Sequence, residues 1–93
     1  MDLLECRNKL DVIDKQIVKL FEERMDICGK VAETKIATGK AVYDAEREKQ
    51  KLEAVSAMAG SDFNQIAVRE LFSQMMSISR KYQYGVLTHT DDI

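Results

Sequence analysis

Between Leu3 and Thr38 the chain has no proline and a single glycine, Gly29, and its apolar residues recur at alternating spacings of three and four. That spacing marks an amphipathic helix and argues against the period-two alternation of a half-buried strand. Written as a heptad, one row holds Leu3, Leu10, Ile17, Arg24 and Val31, and the other Cys6, Ile13, Leu20, Ile27 and Thr34. Gly39 is placed to supply a left-handed cap after Thr38. A helix of about 36 residues is a rod roughly 54 Å long, whereas a compact chain of this size has a radius of gyration of only about 12 Å. Two further helices of 15 to 20 residues (roughly 22 to 30 Å) cannot cover such a rod along its whole apolar stripe. A second copy of the chain can, and an antiparallel two-fold pairing is the simplest closed solution.

The remaining chain predicts two shorter helices. Asp44 is a good N-cap, with Glu46 and Glu48 favouring the positive end of a helix over 45–59. Another helix starts within Ser61–Asn64 and spans 62–84, carrying Val68, Leu71, Met75, Ile78 and Tyr82 until Tyr84-Gly85 ends it. Residues 85–93 are expected to form a flexible tail. No repeat, linker or low-complexity stretch divides the chain, and it contains no proline. The expected fold class is therefore all-α, one domain over residues 1–93, with one long and two shorter helices in an intertwined helical homodimer.

Charge and composition narrow the function. The net charge is −2, from 14 basic and 16 acidic residues that are interspersed, so no basic stripe offers itself to nucleic acid. No apolar run is long enough to span a bilayer, and the start MDLLEC lacks the regions of a signal peptide, which predicts a cytoplasmic protein without membrane contact. Cys6 and Cys28 lie on the long helix roughly 33 Å apart. They cannot pair within it, and are expected reduced and buried as small apolar side chains. The single histidine, His89, falls in the predicted tail, so no metal site is expected.

Arg24 interrupts the apolar heptad row. A lone arginine at such a position is most often paired with a carboxylate, or snorkels to the surface; the other reading is a site for an external anion. Lys35 follows eleven residues later, three full turns on the same side of the helix, with the small Cys28 and Val31 between them. Asp44 and Glu48 share a face of the second helix with Arg47 beside them, an arrangement equally consistent with an ordinary salt-bridged helix start. Ser79 and Gln83 follow Phe72 and Met76 along a mostly apolar face of the third helix. Each feature alone is commonplace, but every helix contributes one.

These residues carry a family resemblance. The segment LLECRNKLDVIDKQIVKLFEERMDICGKVAETK resembles the first helix of the all-helical chorismate mutases, with its Arg, Ile/Leu-Asp-x-Ile-Asp pattern, second Arg and Lys. VYDAEREK resembles the family's Val-x-Asp-x-x-Arg-Glu motif, and LFSQMMSISRKYQ its third helix. The resemblance spans residues 3 to 84 and departs at Ala41, where many relatives have proline.

The resemblance implies a cofactor-free pericyclic rearrangement of chorismate to prephenate in aromatic amino acid biosynthesis. Arg7, Arg24, Lys35, Asp44, Arg47, Glu48, Ser79 and Gln83 would line the site. Arg7 and Arg24 would bind the two carboxylates with Arg47 and Ser79, while Lys35 and Gln83 face the ether oxygen and Glu48, with Asp44, takes the ring hydroxyl. Because Arg7 lies roughly 25 Å along the helix from Arg24, it is expected to serve the partner subunit's site. Two other functions stay open at this point. One is an isochorismate pyruvate lyase on the same fold. The other is a non-catalytic helical dimerisation or regulatory module in which Arg24 is a register-fixing charge.

Overall fold

The structure, a computed structural model, describes the backbone of residues 1–91 and the side chains of residues 1–85. It consists of three helices, α1 (Leu3–Thr38), α2 (Ala45–Met58) and α3 (Asp62–Asp91), and no strand occurs among the described residues. Their boundaries follow local chemistry. The Asp2 carboxylate accepts the Glu5 backbone N–H at 2.8 Å and opens α1. Gly39 closes it at φ 71°, where Gly39 N–H donates to the Ile36 carbonyl and Lys40 N–H to the Lys35 carbonyl. This is the paired closure of a Schellman motif, which glycine enters without the Cβ penalty. Asp44 Oδ1 caps α2 through the Arg47 N–H at 3.0 Å, and Ser61 Oγ caps α3 through the Asn64 N–H at 3.2 Å.

The α2–α3 corner is tied twice. Ser56 Oγ donates to the Gln65 carbonyl at 2.9 Å, and Gln65 Nε2 donates to the Ala59 carbonyl at 3.2 Å.

The expected end of α3 at Tyr84-Gly85 is corrected. The helix passes through Gly85 and continues to Asp91. A single glycine costs only about 1 kcal/mol relative to alanine inside a helix, and no proline follows to remove a hydrogen bond. Gly39, not Gly85, takes the positive φ. The expected flexible tail is thus helical over residues 85–91, and its last two residues lie outside the described ones.

α3 packs against both α1 and α2, which do not pack on each other. The crossing of α1 and α3 is close at Gly29, where an added Cβ would stand 3.2 Å from Tyr82 Cε1. Around it the buried apolar side chains are few: Ala32 of α1, Val42 of the α1–α2 loop, Val55 of α2 and Met76 of α3. The rest of the apolar row of α1 is uncovered. Leu3, Leu10, Ile13, Ile17, Leu20 and Ile27 are each between 48% and 64% exposed. Cys6 and Cys28 are free thiols and only half-buried, which corrects the expectation that they are core residues: Cys6 lies on the half of α1 that α3 leaves uncovered, and Cys28 borders the cavity between the helices. The result is elongated, 54 × 28 × 14 Å with a radius of gyration of 16.6 Å, against about 12 Å for a compact chain of this length. No helix among the described residues is long and apolar enough to cross a membrane.

Candidate active site

Where α3 bridges the other two helices, a cavity of about 170 Å³ opens between all three. Of the residues singled out in the sequence, Arg24 and Lys35 reach it from α1, Asp44, Arg47 and Glu48 from the start of α2, and Ser79 and Gln83 from α3. Arg7 does not line it: it is exposed, seventeen residues before Arg24 on α1.

Arg24 is half-buried, and its partners are neutral. Nη1 donates to Ser79 Oγ at 3.1 Å and approaches Cys28 Sγ at 3.8 Å, while the guanidinium carbon stands 5.9 Å from the centre of the Phe72 ring. No carboxylate pairs with it among the described residues, where the one ion pair is Arg80 with Glu48. Lys35 Nζ donates to the Val42 carbonyl at 2.7 Å, which anchors the ammonium over the α1–α2 loop and leaves it two further protons.

Ser79 and Gln83 are 5% and 8% exposed, the two buried polar side chains of α3 among the described residues. Gln83 Oε1 is buried and has no hydrogen-bond partner. A half-turn of the amide exchanges Oε1 for Nε2, so this side chain can offer the cavity either an acceptor or a donor. Such unpaired buried groups cost about 1–3 kcal/mol each unless something satisfies them.

The lining also holds residues that sequence reasoning passed over, Lys51, Arg80 and Val42, together with Met76 of the α3 face. Arg80 forms an ion pair with Glu48 and lies 5.1 Å from the centre of the Tyr43 ring. Its hydrogen bond with Glu48 holds the guanidinium pKa above the ordinary arginine value, against the opposing effect of burial. Helical spacing could have found it, since Met76, Arg80 and Gln83 stand at i, i+4 and i+7. The cavity is strongly cationic: Arg24, Lys35, Arg47, Lys51 and Arg80 face only Asp44 and Glu48, an excess of three positive charges. Among the described residues no group of three or more His, Cys, Asp or Glu side chains could hold a metal ion; the side chain of His89 lies outside them. The arrangement suits a small, compact polyanion.

The sequence profile of the family described as chorismate mutase type II matches residues 6–84, which include every residue that lines the cavity. The chain belongs to the type II chorismate mutases. A chorismate mutase of Methanocaldococcus jannaschii is 47% identical over 47 residues, which cover 50% of this chain and 48% of that protein. A bifunctional chorismate mutase/prephenate dehydratase of Buchnera aphidicola subsp. Acyrthosiphon pisum is 45% identical over 51 residues, 55% of this chain and 13% of the relative. A T-protein of Haemophilus influenzae is 27% identical over 96 residues, 98% of this chain and 25% of that protein. Matches to curated relatives thus span between 13% and 48% of the relatives' length.

Proposed function

We propose that the chain rearranges chorismate to prephenate in the cavity between its helices, and that a second copy completes that cavity with its Arg7. The observation that carries the reading is Arg24, a half-buried guanidinium held by a serine and paired with no carboxylate among the described residues. A half-buried charge without a counter-charge is costly, and an anionic ligand would supply the missing half of the ion pair. Chorismate supplies two carboxylates against the three excess positive charges of the cavity.

The reaction is intramolecular: the ether C–O bond breaks while a C–C bond forms in one concerted step. No proton moves and no electron is gained or lost, so nothing in the chemistry calls for a cofactor or metal. Two contributions remain for a protein. One is to hold the compact conformer in which the enolpyruvyl group lies over the ring. The other is to place fixed donors where the ether oxygen gains negative charge, each worth about 3–4 kcal/mol.

Arg24, Arg47 and Ser79 are assigned to the carboxylates, with Arg7 of the second copy. Lys35 and Gln83 are assigned to the ether oxygen, to which the Gln83 amide would donate through its Nε2–H. Glu48, beside Asp44, accepts the ring hydroxyl. The homodimer is supported by the uncovered apolar row of α1, which includes Leu10 at 55% and Ile17 at 58% exposed. An antiparallel pairing of two α1 helices buries that row and brings each Arg7 towards the middle of the other rod.

The test is direct. The purified chain, incubated with chorismate, is expected to consume it and yield prephenate. Unchanged chorismate would refute the reading, and release of pyruvate from isochorismate without prephenate formation would replace it with the lyase.

A further inference from the structure

The α2 helix carries Glu48 but does not pack on α1, which carries Arg24 and Lys35. The geometry between the carboxylate and the α1 cations is therefore relayed through α3 and the α1–α2 loop. Glu48 itself is a flexible side chain near an exposed helix start, with rotamer entropy to lose on being fixed. Lys51, one turn along the same helix, is a cation it could reach locally. The carboxylate instead meets Arg80 of α3, thirty-two residues away.

Arg80 is held in turn. Its guanidinium lies over Tyr43 of the α1–α2 loop, so one side chain joins that loop, α3 and the start of α2. The pair is 29% and 23% exposed for Arg80 and Glu48, sheltered enough for its hydrogen bond to outlast the screening that weakens surface pairs. Its place on the cavity wall, next to Ser79 and one turn before Gln83, distinguishes it from a clamp on the outside of the molecule.

We propose that Arg80 is a positioning residue, which holds the Glu48 carboxylate at the angle from which it accepts the ring hydroxyl of the substrate. The proposal rests on the functional reading above. Arg80 touches no reacting atom, because its charge is spent on Glu48 and its face on Tyr43.

The experiment compares chorismate with its analogue lacking the ring hydroxyl, using the wild-type chain, Arg80→Met and Arg80→Lys. With chorismate, Arg80→Met is expected to lower kcat roughly tenfold, the scale of coupling between contacting residues. With the deoxy analogue, the variant and the wild type are expected to agree within about twofold, because no hydroxyl is left for Glu48 to accept. Arg80→Lys keeps the charge without the planar fork and is expected to fall between them on chorismate. Should Arg80→Met lose helical content, Arg80→Lys carries the same comparison. Equal losses on both substrates would overturn the proposal and leave Arg80 a structural clamp. A wild-type chain inert towards chorismate would overturn the functional reading and this inference with it.

Discussion

Gln83→Glu exchanges a non-titrating amide for a carboxyl at a position 8% exposed, with the cavity on one side and the helix core on the other. The amide can donate to the ether oxygen at any pH, whereas a carboxyl donates only while protonated. Loss of one such donor costs about 3–4 kcal/mol, or roughly a hundred- to a thousandfold in rate. Above the pKa of the introduced carboxyl, turnover should therefore fall tenfold per pH unit, until it levels off at that floor.

The cavity charges determine where the fall begins. Burial raises the introduced pKa, and the three excess positive charges of the empty cavity lower it. A bound dianion reduces that excess to one, so the pKa in the complex stands above that in the free enzyme. Because kcat reports the complex and kcat/KM the free enzyme, the kcat profile of the variant should break at a higher pH than its kcat/KM profile. The assay is chorismate turnover against pH for both proteins, with helical content confirmed at each point. Parallel profiles for variant and wild type would refute the placement of Gln83 at the breaking bond.

Mixed refolding of Arg7→Ala with Arg47→Ala chains should create heterodimers with one intact and one doubly damaged site, and verified heterodimers should regain about half of the wild-type activity if subunits share residues across a two-fold. Heterodimers as inactive as their parents would exclude sharing. Gly39→Ala places a Cβ at φ 71°, and is expected to lower the unfolding free energy in urea by about 1–2 kcal/mol, with Gly39→Asn costing less. An unchanged urea midpoint would contradict the left-handed cap. Exhaustive dialysis against a chelator should leave chorismate turnover intact; activity that vanished and returned with added metal would rule out the cofactor-free mechanism.

Local chemistry made much of the fold legible. Asp2, Asp44 and Ser61, which start the three helices, and Gly39, which stops α1, act within a few positions of themselves, so their roles can be read without knowing what packs on what. The same holds for the long amphipathic row of α1, since period alone reveals a helix too long for its own chain to cover. Gly85 misled for the converse reason: glycine permits a turn without requiring one, and here the helix continues to Asp91.

Only the tertiary structure decided which face of α3 turns inward. The apolar positions Leu71, Ile78 and Tyr82 are 56%, 44% and 43% exposed, while Met76, Ser79 and Gln83 are buried. A helix with apolar residues on more than one face does not announce which face its neighbours will take. The Arg80–Glu48 pair was hidden in the same way, because an ion pair across thirty-two residues depends on the α2–α3 packing and not on any spacing within one helix. The sequence thus specified three helices and most of the polar side chains of the cavity. Packing chose which of them meet, because side chains far apart along the chain acquire partners only when the helices that carry them are brought together.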